Sequence, residues 1–401
     1  MSLPPPIPLA EAQERLLSQV EPLGAEEVPA AEAVGRYLAA DVSARRTQPA
    51  ADLSAMDGYA MRLDDLAGPW RVVGRSAAGH PYSRSLAQGE AVRISTGALV
   101  PAGAGAILLQ EEAEREGDTL RLMVGGEPSP RHIRRAGFDF RQGDALIRRG
   151  LQVGPAQLAL AISGGHASIS VGRLPTVAVL DSGDELSADP ASCAPHQIPA
   201  SNGAMLATMA KPYARTVRRI GPVADDLEAM LAALGEAEGA DVLVTSGGAS
   251  VGDHDLVRPA LERWGATIDF WRVAMKPGKP VMVARRGPQW VLGLPGNPVS
   301  SYVTAFLFLL PLLRGLAGSG QPLPARIETR LEGALPAVGE RQEFVRAWFS
   351  GQTVRPVNEQ DSSALGALSA ANALIDRRAG APAAISGGLV SCFLLDCSRI
   401  A

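Results

Sequence analysis

Thr176-Val177-Ala178-Val179-Leu180 is a short apolar run that breaks into Asp181-Ser182-Gly183-Asp184-Glu185, and the same grammar recurs twice downstream. Asp241-Val242-Leu243-Val244 runs into Thr245-Ser246-Gly247-Gly248-Ala249-Ser250. Trp290-Val291-Leu292-Gly293-Leu294 runs into Pro295-Gly296-Asn297-Pro298. Continuous apolar runs mark strands buried on both faces of a parallel sheet. Polar, glycine-bearing loops at their carboxyl ends are where open α/β sheets bind ligands. Helical stretches over 204–210 and 225–234 lie between the runs. A long helix is predicted over 299–315, with Asn297 as its N-cap and Pro298 in its first position.

Outward from this unit the text changes. Residues 8–20 carry apolar side chains at helical spacing, with Glu11 in the first turn. From about 46 to 142, strand-like pieces at 70–73, 91–94, 106–110 and 119–124 alternate with Gly and Pro turns. Residues 154–161 turn helical again, and Ile169-Ser170-Val171 suggests a return to the first segment. After Gly318 and Gly320 the chain reads as short strands. The predicted fold is a multidomain α/β plus β protein. Residues 1–45 and 143–174 form a split, elongated N-terminal domain, and 46–142 an inserted β-rich domain. Residues 175–322 form a central doubly wound α/β domain, and 323–401 a C-terminal β-barrel-like domain.

The chain has 401 residues, a formal net charge of −4 and a hydrophobic fraction of 46%. That charge argues against a nucleic-acid binder, so any anion site must be built locally. No uninterrupted apolar run reaches the ~18 residues of a membrane span. The first residues, Met1-Ser2-Leu3-Pro4-Pro5-Pro6, hold no basic segment or apolar signal core, and the expectation is a cytoplasmic protein. Cys193, Cys392 and Cys397 form no CxxC pair and read as inert thiols. His80, His132 and His166 show no metal-ligand spacing with one another.

Several loops carry candidate chemistry. A helix N-terminus preceded by small residues is an anion site, and three such loops on one sheet edge point to a phosphate- or cofactor-binding crevice. Ser250-Val251-Gly252-Asp253-His254-Asp255 reads either as an acidic helix start or, with Asp184-Glu185, as a magnesium site. Acidic residues beside phosphate-binding loops make little electrostatic sense without a cation between them. In Met275-Lys276-Pro277-Gly278-Lys279-Pro280 the prolines restrict the backbone around two lysines, which lowers the entropy cost of presenting both to an oxyanion. Ser54-Ala55-Met56-Asp57-Gly58-Tyr59-Ala60 is by default a turn, and Ile94-Ser95-Thr96-Gly97-Ala98 is another small-residue loop.

Taken together and in this order, the 54–60, 95–98, 182–186, 246–253, 275–280 and 293–300 motifs resemble the MoeA-type molybdopterin molybdenumtransferases, the family of the gephyrin E domain. The resemblance spans essentially the whole chain. It implies insertion of molybdate into adenylylated molybdopterin with release of AMP, and a need for Mg2+. It also implies an elongated homodimer whose active site lies between the α/β domain of one subunit and the β-rich domain of the other. The adenylyltransferase and molybdoenzyme chaperones are candidate protein partners.

The resemblance carries catalytic positions to Asp57, Thr96, Asp139, Glu185, Asp226, Asp253, Lys276 and Lys279, with Asp225 as the alternative to Asp226. Glu185 and Asp253 are the implied metal ligands, and the lysine pair is implied to hold molybdate or phosphate. Ser182, Gly183, Ser246, Gly247, Gly248, Pro295, Gly296, Asn297, Ser300 and Ser362 are the implied cofactor-binding positions. Helix N-termini are expected to hold the pterin phosphate. Three positions depart from the family pattern: Asp361 stands in place of a common Gly, Ala200 in place of an Asp, and Asp181 where Ser or Thr is usual. The competing readings are a molybdopterin adenylyltransferase, which leaves the flanking segments unexplained, and a non-catalytic pterin-binding scaffold, which has no need of the acids and lysines.

Overall fold

The computed structural model describes residues 5–247 and 256–395. The three apolar runs become adjacent parallel strands, Thr176–Ser182 beside Val242–Ser246 beside Gln289–Leu294. Their carboxyl ends therefore share one edge. Thr216–Val223 adds a fourth parallel strand outside Thr176–Ser182, and Pro280–Arg286 and Thr267–Arg272 add two antiparallel ones beyond Gln289–Leu294. The sheet is mixed because its far side is built from hairpin-like returns. Thr216–Val223 has no continuous apolar run because it is an edge strand, where Arg218 and Arg219 blunt an open backbone.

Alternate residues of the central strands serve opposite faces. Val177, Val179, Val242, Val244 and Leu292 pack on one side with Leu206, Leu309 and Leu313. Ala178, Leu180, Leu243 and Val291 pack on the other with Met230, Leu234 and Leu261. Helices Ser201–Ala210 and Pro298–Leu316 cover the first face, and Leu227–Glu236 and Val257–Arg263 the second.

The long helix is not regular. Pro298–Thr304 and Leu310–Leu316 are α-helical, and Ala305–Leu309 between them is π-helical. Pro311 has no N–H to give to Leu307, four residues back. The buried side chain of Gln13, from helix Leu9–Leu17, donates to that carbonyl at 2.9 Å. By length and composition Pro298–Leu316 could cross a membrane, but 83% of its apolar window is buried inside the protein. Its apolarity serves the core.

Upstream, Ala25–Pro29 pairs antiparallel with Ser168–Gly172, and Val42–Ser43 with Ala145–Ile147. The chain on either side of the β-rich segment thus meets itself. Within that segment six strands form one sheet, ordered Ala106–Leu109, Gly58–Met61, Glu90–Ile94, Trp70–Ser76, Thr119–Leu122, Ala113–Glu116. The turn expected at Asp57-Gly58-Tyr59 is in fact the entry to a buried strand, Gly58–Met61. A Cβ at Gly58 would stand 2.0 Å from the Leu108 carbonyl oxygen, so this glycine serves close strand approach rather than a turn.

The C-terminal segment closes into a five-stranded barrel. Gln342–Phe349, Thr353–Pro356, Ile327–Leu331, Leu389–Leu394 and Ala373–Arg377 pair in that order, and Ala373–Arg377 pairs back onto Gln342–Phe349. Cys392 lies in its core, where burial pushes the thiol up to about 11, so it is an inert packing group. Phe393 faces outward and meets Phe306 of the long helix at 5.7 Å between ring centres, joining barrel to α/β core.

Candidate active site

The carboxyl ends of the three parallel strands open into a cleft of about 940 Å³. Ser182, Gly183 and Glu185 line it from the first strand end, Ser246 and Gly247 from the second, and Pro295, Gly296, Asn297 and Ser300 from the third. Asp181, Leu186, Ser201, Asn202, Asp225, Pro280 and Ser363 complete much of the wall. Close approach explains the glycines. A Cβ at Gly247 (φ +94°) would stand 2.8 Å from the Ser182 carbonyl oxygen, and one at Gly183 (φ +149°) 2.5 Å from Glu185 Oε2. Gly183 therefore makes room for the Glu185 carboxylate. Gly248 and the whole 250–255 motif, Asp253 included, lie outside the described residues.

The acids divide by task. Asp226 accepts from the Ala229 amide at 2.9 Å and caps helix Leu227–Glu236. Asp225 faces the cleft, and its backbone N–H donates to Asp184 Oδ1 at 3.0 Å. The cleft that Glu185 lines is thus lined by Asp225 and not by Asp226. Among the described residues no three acidic, His or Cys side chains are grouped to cage a metal. Among the described residues the acids that line the cleft are Glu185, Asp225 and the buried Asp181.

The two lysines also differ. Met275–Lys276 forms a short strand against the barrel strand Gln342–Phe349, and Lys276 Nζ sits 3.2 Å from Glu343 Oε1. Lys279 has no ion pair among the described residues, and its neighbour Pro280 lines the cleft. A Cβ at Gly278 would stand 2.5 Å from Thr304 Cγ2 and 3.7 Å from the Ser300 carbonyl oxygen, so the lysine turn packs directly on the helix that carries Ser300.

The barrel reaches the same place. Asn297 occupies the N-cap position of Pro298–Thr304 but makes no side-chain cap; its amide nitrogen donates to Ser362 Oγ at 2.9 Å. The Val299 N–H donates to the Ser362 carbonyl at 3.0 Å. Two helix N-termini near the cleft thus have protein partners, Ser362 engaging one and Asp226 capping the other. Ser201–Ala210, whose first residues line the cleft, has no side-chain cap from its own N-cap residue. Ser362 is tied up in this contact, while its neighbour Ser363 lines the cleft. Asp361, where a Gly was expected, accepts from the Ser363 N–H at 2.8 Å and hydroxyl at 2.5 Å, and these bonds hold its carboxyl below the usual range. Arg346, 1% exposed, anchors this loop: its guanidinium donates to the Glu359 carbonyl at 2.9 Å and its backbone N–H to Gln360 Oε1 at 3.0 Å. A lone Arg in an apolar strand gave no sequence signal for that role.

Asp181 is 3% exposed at the base of the cleft. Burial pushes its carboxyl up from 3.8 to about 6, against the pull of Arg219, 3.8 Å from Oδ2, and of the Gly203 amide. The unfolded chain releases this proton near 3.8 and the folded chain near 6, so folding loses stability as pH rises through that window. The loss above it is on the order of 3 kcal/mol. Asp181→Asn is expected to raise the melting temperature at pH 8 and leave it unchanged at pH 4. Equal melting at both pH values would contradict the raised carboxyl. This chain's Asp where Ser or Thr was expected is thus a real physical departure.

Asp57 and Thr96 come together in the β-rich segment, with the Thr96 N–H donating to Asp57 Oδ1 at 2.7 Å. Both are exposed, as is Asp139. No residue from 46–142 lines the cleft. Met56 and Phe138, next to Asp57 and Asp139, are 42% and 74% exposed. A second depression, beside Trp348 and Arg355 on the barrel, contains none of the expected site residues.

Three family models match the chain in series. They are "MoeA N-terminal region (domain I and II)" over residues 7–165, "Probable molybdopterin binding domain" over 178–315, and "MoeA C-terminal region (domain IV)" over 328–395. The molybdopterin molybdenumtransferase of Haemophilus influenzae is 36% identical over 318 residues, covering 78% of each chain. That of Bacillus subtilis is 32% identical over 405 residues, covering 97% of this chain and 94% of the relative. A solved molybdopterin biosynthesis MoeA protein from Pyrococcus horikoshii superposes with a TM-score of 0.80 at 29% identity, covering 98% of this chain and 100% of the other. Another solved molybdopterin biosynthesis MoeA protein, from Pyrococcus horikoshii OT3, gives a TM-score of 0.84 at 24% identity, covering 97% of this chain and 100% of the other, and speaks to the fold.

Proposed function

The chain belongs to the MoeA family of molybdopterin molybdenumtransferases, enzymes of molybdenum cofactor biosynthesis, and we propose that it inserts molybdate into adenylylated molybdopterin, releasing AMP, in a cleft completed by a second copy of itself. The observation that carries this reading is the convergence of three parallel strand ends, the barrel loop and Pro280, which follows the lysine turn, on one cleft of about 940 Å³.

Molybdate is a dianion and the adenylylated pterin carries a diphosphate, so their approach is opposed by Coulomb repulsion. Lys279 offsets that repulsion on the molybdate side, and Lys276 is a second cation that can exchange Glu343 for the oxyanion. The Gly183 and Gly247 N–H groups already donate to the Val223 and Leu294 carbonyls, so the donors these loops offer to phosphate oxygens are the Ser182 and Ser246 hydroxyls at the cleft wall. Glu185 and Asp225 would hold a magnesium ion, which when bound offsets charge developing on the departing AMP. Asn297, fixed by Ser362, holds the third loop in place. No protein nucleophile is called for, so the residues act by positioning and electrostatics.

The acids Asp57, Thr96's partner, and Asp139 stand on an exposed surface away from this cleft, flanked by exposed Met56 and Phe138. A homodimer that seats this surface over the neighbouring subunit's cleft buries those apolar side chains and adds the missing acids. The test is AMP release from adenylylated molybdopterin, with and without molybdate and Mg2+. Molybdate- and magnesium-dependent release is the expected outcome; binding of the pterin with no AMP formed under any condition would overturn the reading.

A further inference from the structure

Helix Ser201–Ala210 forms one wall of the cleft, yet its own N-cap residue, Ala200, has no side chain that can cap it. Its first turn nevertheless carries cleft residues Ser201 and Asn202, and Asn202 donates to the Gly296 carbonyl at 2.7 Å, bridging to the third strand-end loop. The carboxylate that serves this helix end comes from elsewhere. Asp181, on the neighbouring strand, packs against Gly203 so closely that a Cβ there would stand 1.9 Å from Oδ2. Asp181 Oδ1 has no hydrogen-bond partner among the described residues. A carboxylate kept this buried, with one oxygen unpartnered, is costly to retain, which argues for a task at that place.

We propose that Asp181 is the cap of helix Ser201–Ala210, supplied from the adjacent strand, and so a positioning residue that holds Ser201 and Asn202 in the geometry that binds the pterin substrate. The Gly203 amide, in the helix's first turn, donates to the Asp181 carboxylate, and an uncapped first turn frays; this local bond is kept although burying the charge costs the fold as a whole. Fraying here loosens the Asn202–Gly296 bridge and with it two walls of the cleft at once. Glycine at 203 is required because any side chain would displace the carboxylate. This inference rests on the molybdopterin reading of the cleft.

The experiment measures steady-state AMP release with the full-length protein, for Asp181→Ala, Gly203→Ala, and Asp181→Ala combined with Ala200→Asp. Asp181→Ala is expected to raise KM for the adenylylated pterin about 10-fold, the scale of a lost N-cap, with kcat within about 2-fold. Gly203→Ala keeps Asp181 but pushes its carboxylate aside, and is expected to raise KM similarly although alanine favours a helix interior. Ala200→Asp restores a cap from within the helix and is expected to bring KM of the double variant back to within about 3-fold of the original. An unchanged KM in Asp181→Ala and Gly203→Ala overturns the proposal, as does a double variant no better than Asp181→Ala. If the unaltered protein releases no AMP, the molybdopterin reading itself is what fails.

Discussion

Lys279→Ala is expected to raise the molybdate concentration needed for half-maximal AMP release by about 10- to 100-fold, while affinity for the adenylylated pterin changes by less than about 3-fold. A hydrogen bond to a charged partner contributes ~1.5–3 kcal/mol, which is that range of binding constants. The asymmetry between the lysines sharpens the expectation. Lys276 is already paired with Glu343 at 3.2 Å, so part of its attraction for an oxyanion is offset. Lys279 has no such partner among the described residues and sits next to the cleft-lining Pro280. Lys276→Ala should therefore have the smaller effect. Isothermal titration with molybdate, and separately with the pterin, distinguishes the two substrates. Equal loss of both affinities would mean Lys279 acts on the fold of its turn and not on molybdate.

Glu185→Gln is expected to slow AMP release at least ~100-fold at saturating substrate, the scale of removing one preorganised electrostatic group from a reacting centre. Binding of the pterin should persist, since the amide keeps the shape of the side chain and the close approach to Gly183. The magnesium dependence of the residual rate should shift to higher concentration, because one anionic ligand is gone. Single-turnover AMP formation across a magnesium series reads both effects. Release at the ordinary rate would remove Glu185 from the metal and from the reaction.

The buried strands were legible because an element covered on both faces must be continuously apolar, and Val177–Leu180, Val242–Val244 and Trp290–Leu294 are. Their order and direction then placed the loops of Ser182, Ser246 and Asn297 on one edge. The edge strand Thr216–Val223 was not legible, since an open edge is protected by charge and loses the apolar signal. Gly58 misled for a related reason. Asp-Gly is turn chemistry, but here the glycine answers to the backbone of the neighbouring strand, a contact absent from local sequence. Asp225 and Asp226 could not be separated by reading because both precede a helix; only the cap bond from Ala229 assigns one of them. Asn202, Ser363 and Arg346 depend on contacts between segments distant along the chain, which no single motif encodes.

The account depends on a cleft that one subunit leaves incomplete and its partner fills. Asp57→Asn and Glu185→Gln proteins, each expected to be nearly inactive alone, should be mixed under conditions that exchange subunits. Half of the resulting dimers are mixed, and each mixed dimer holds one site with both natural acids. Recovery of about a quarter of the original AMP-release rate is the expected result. A mixture no more active than its two components would contradict the shared cleft.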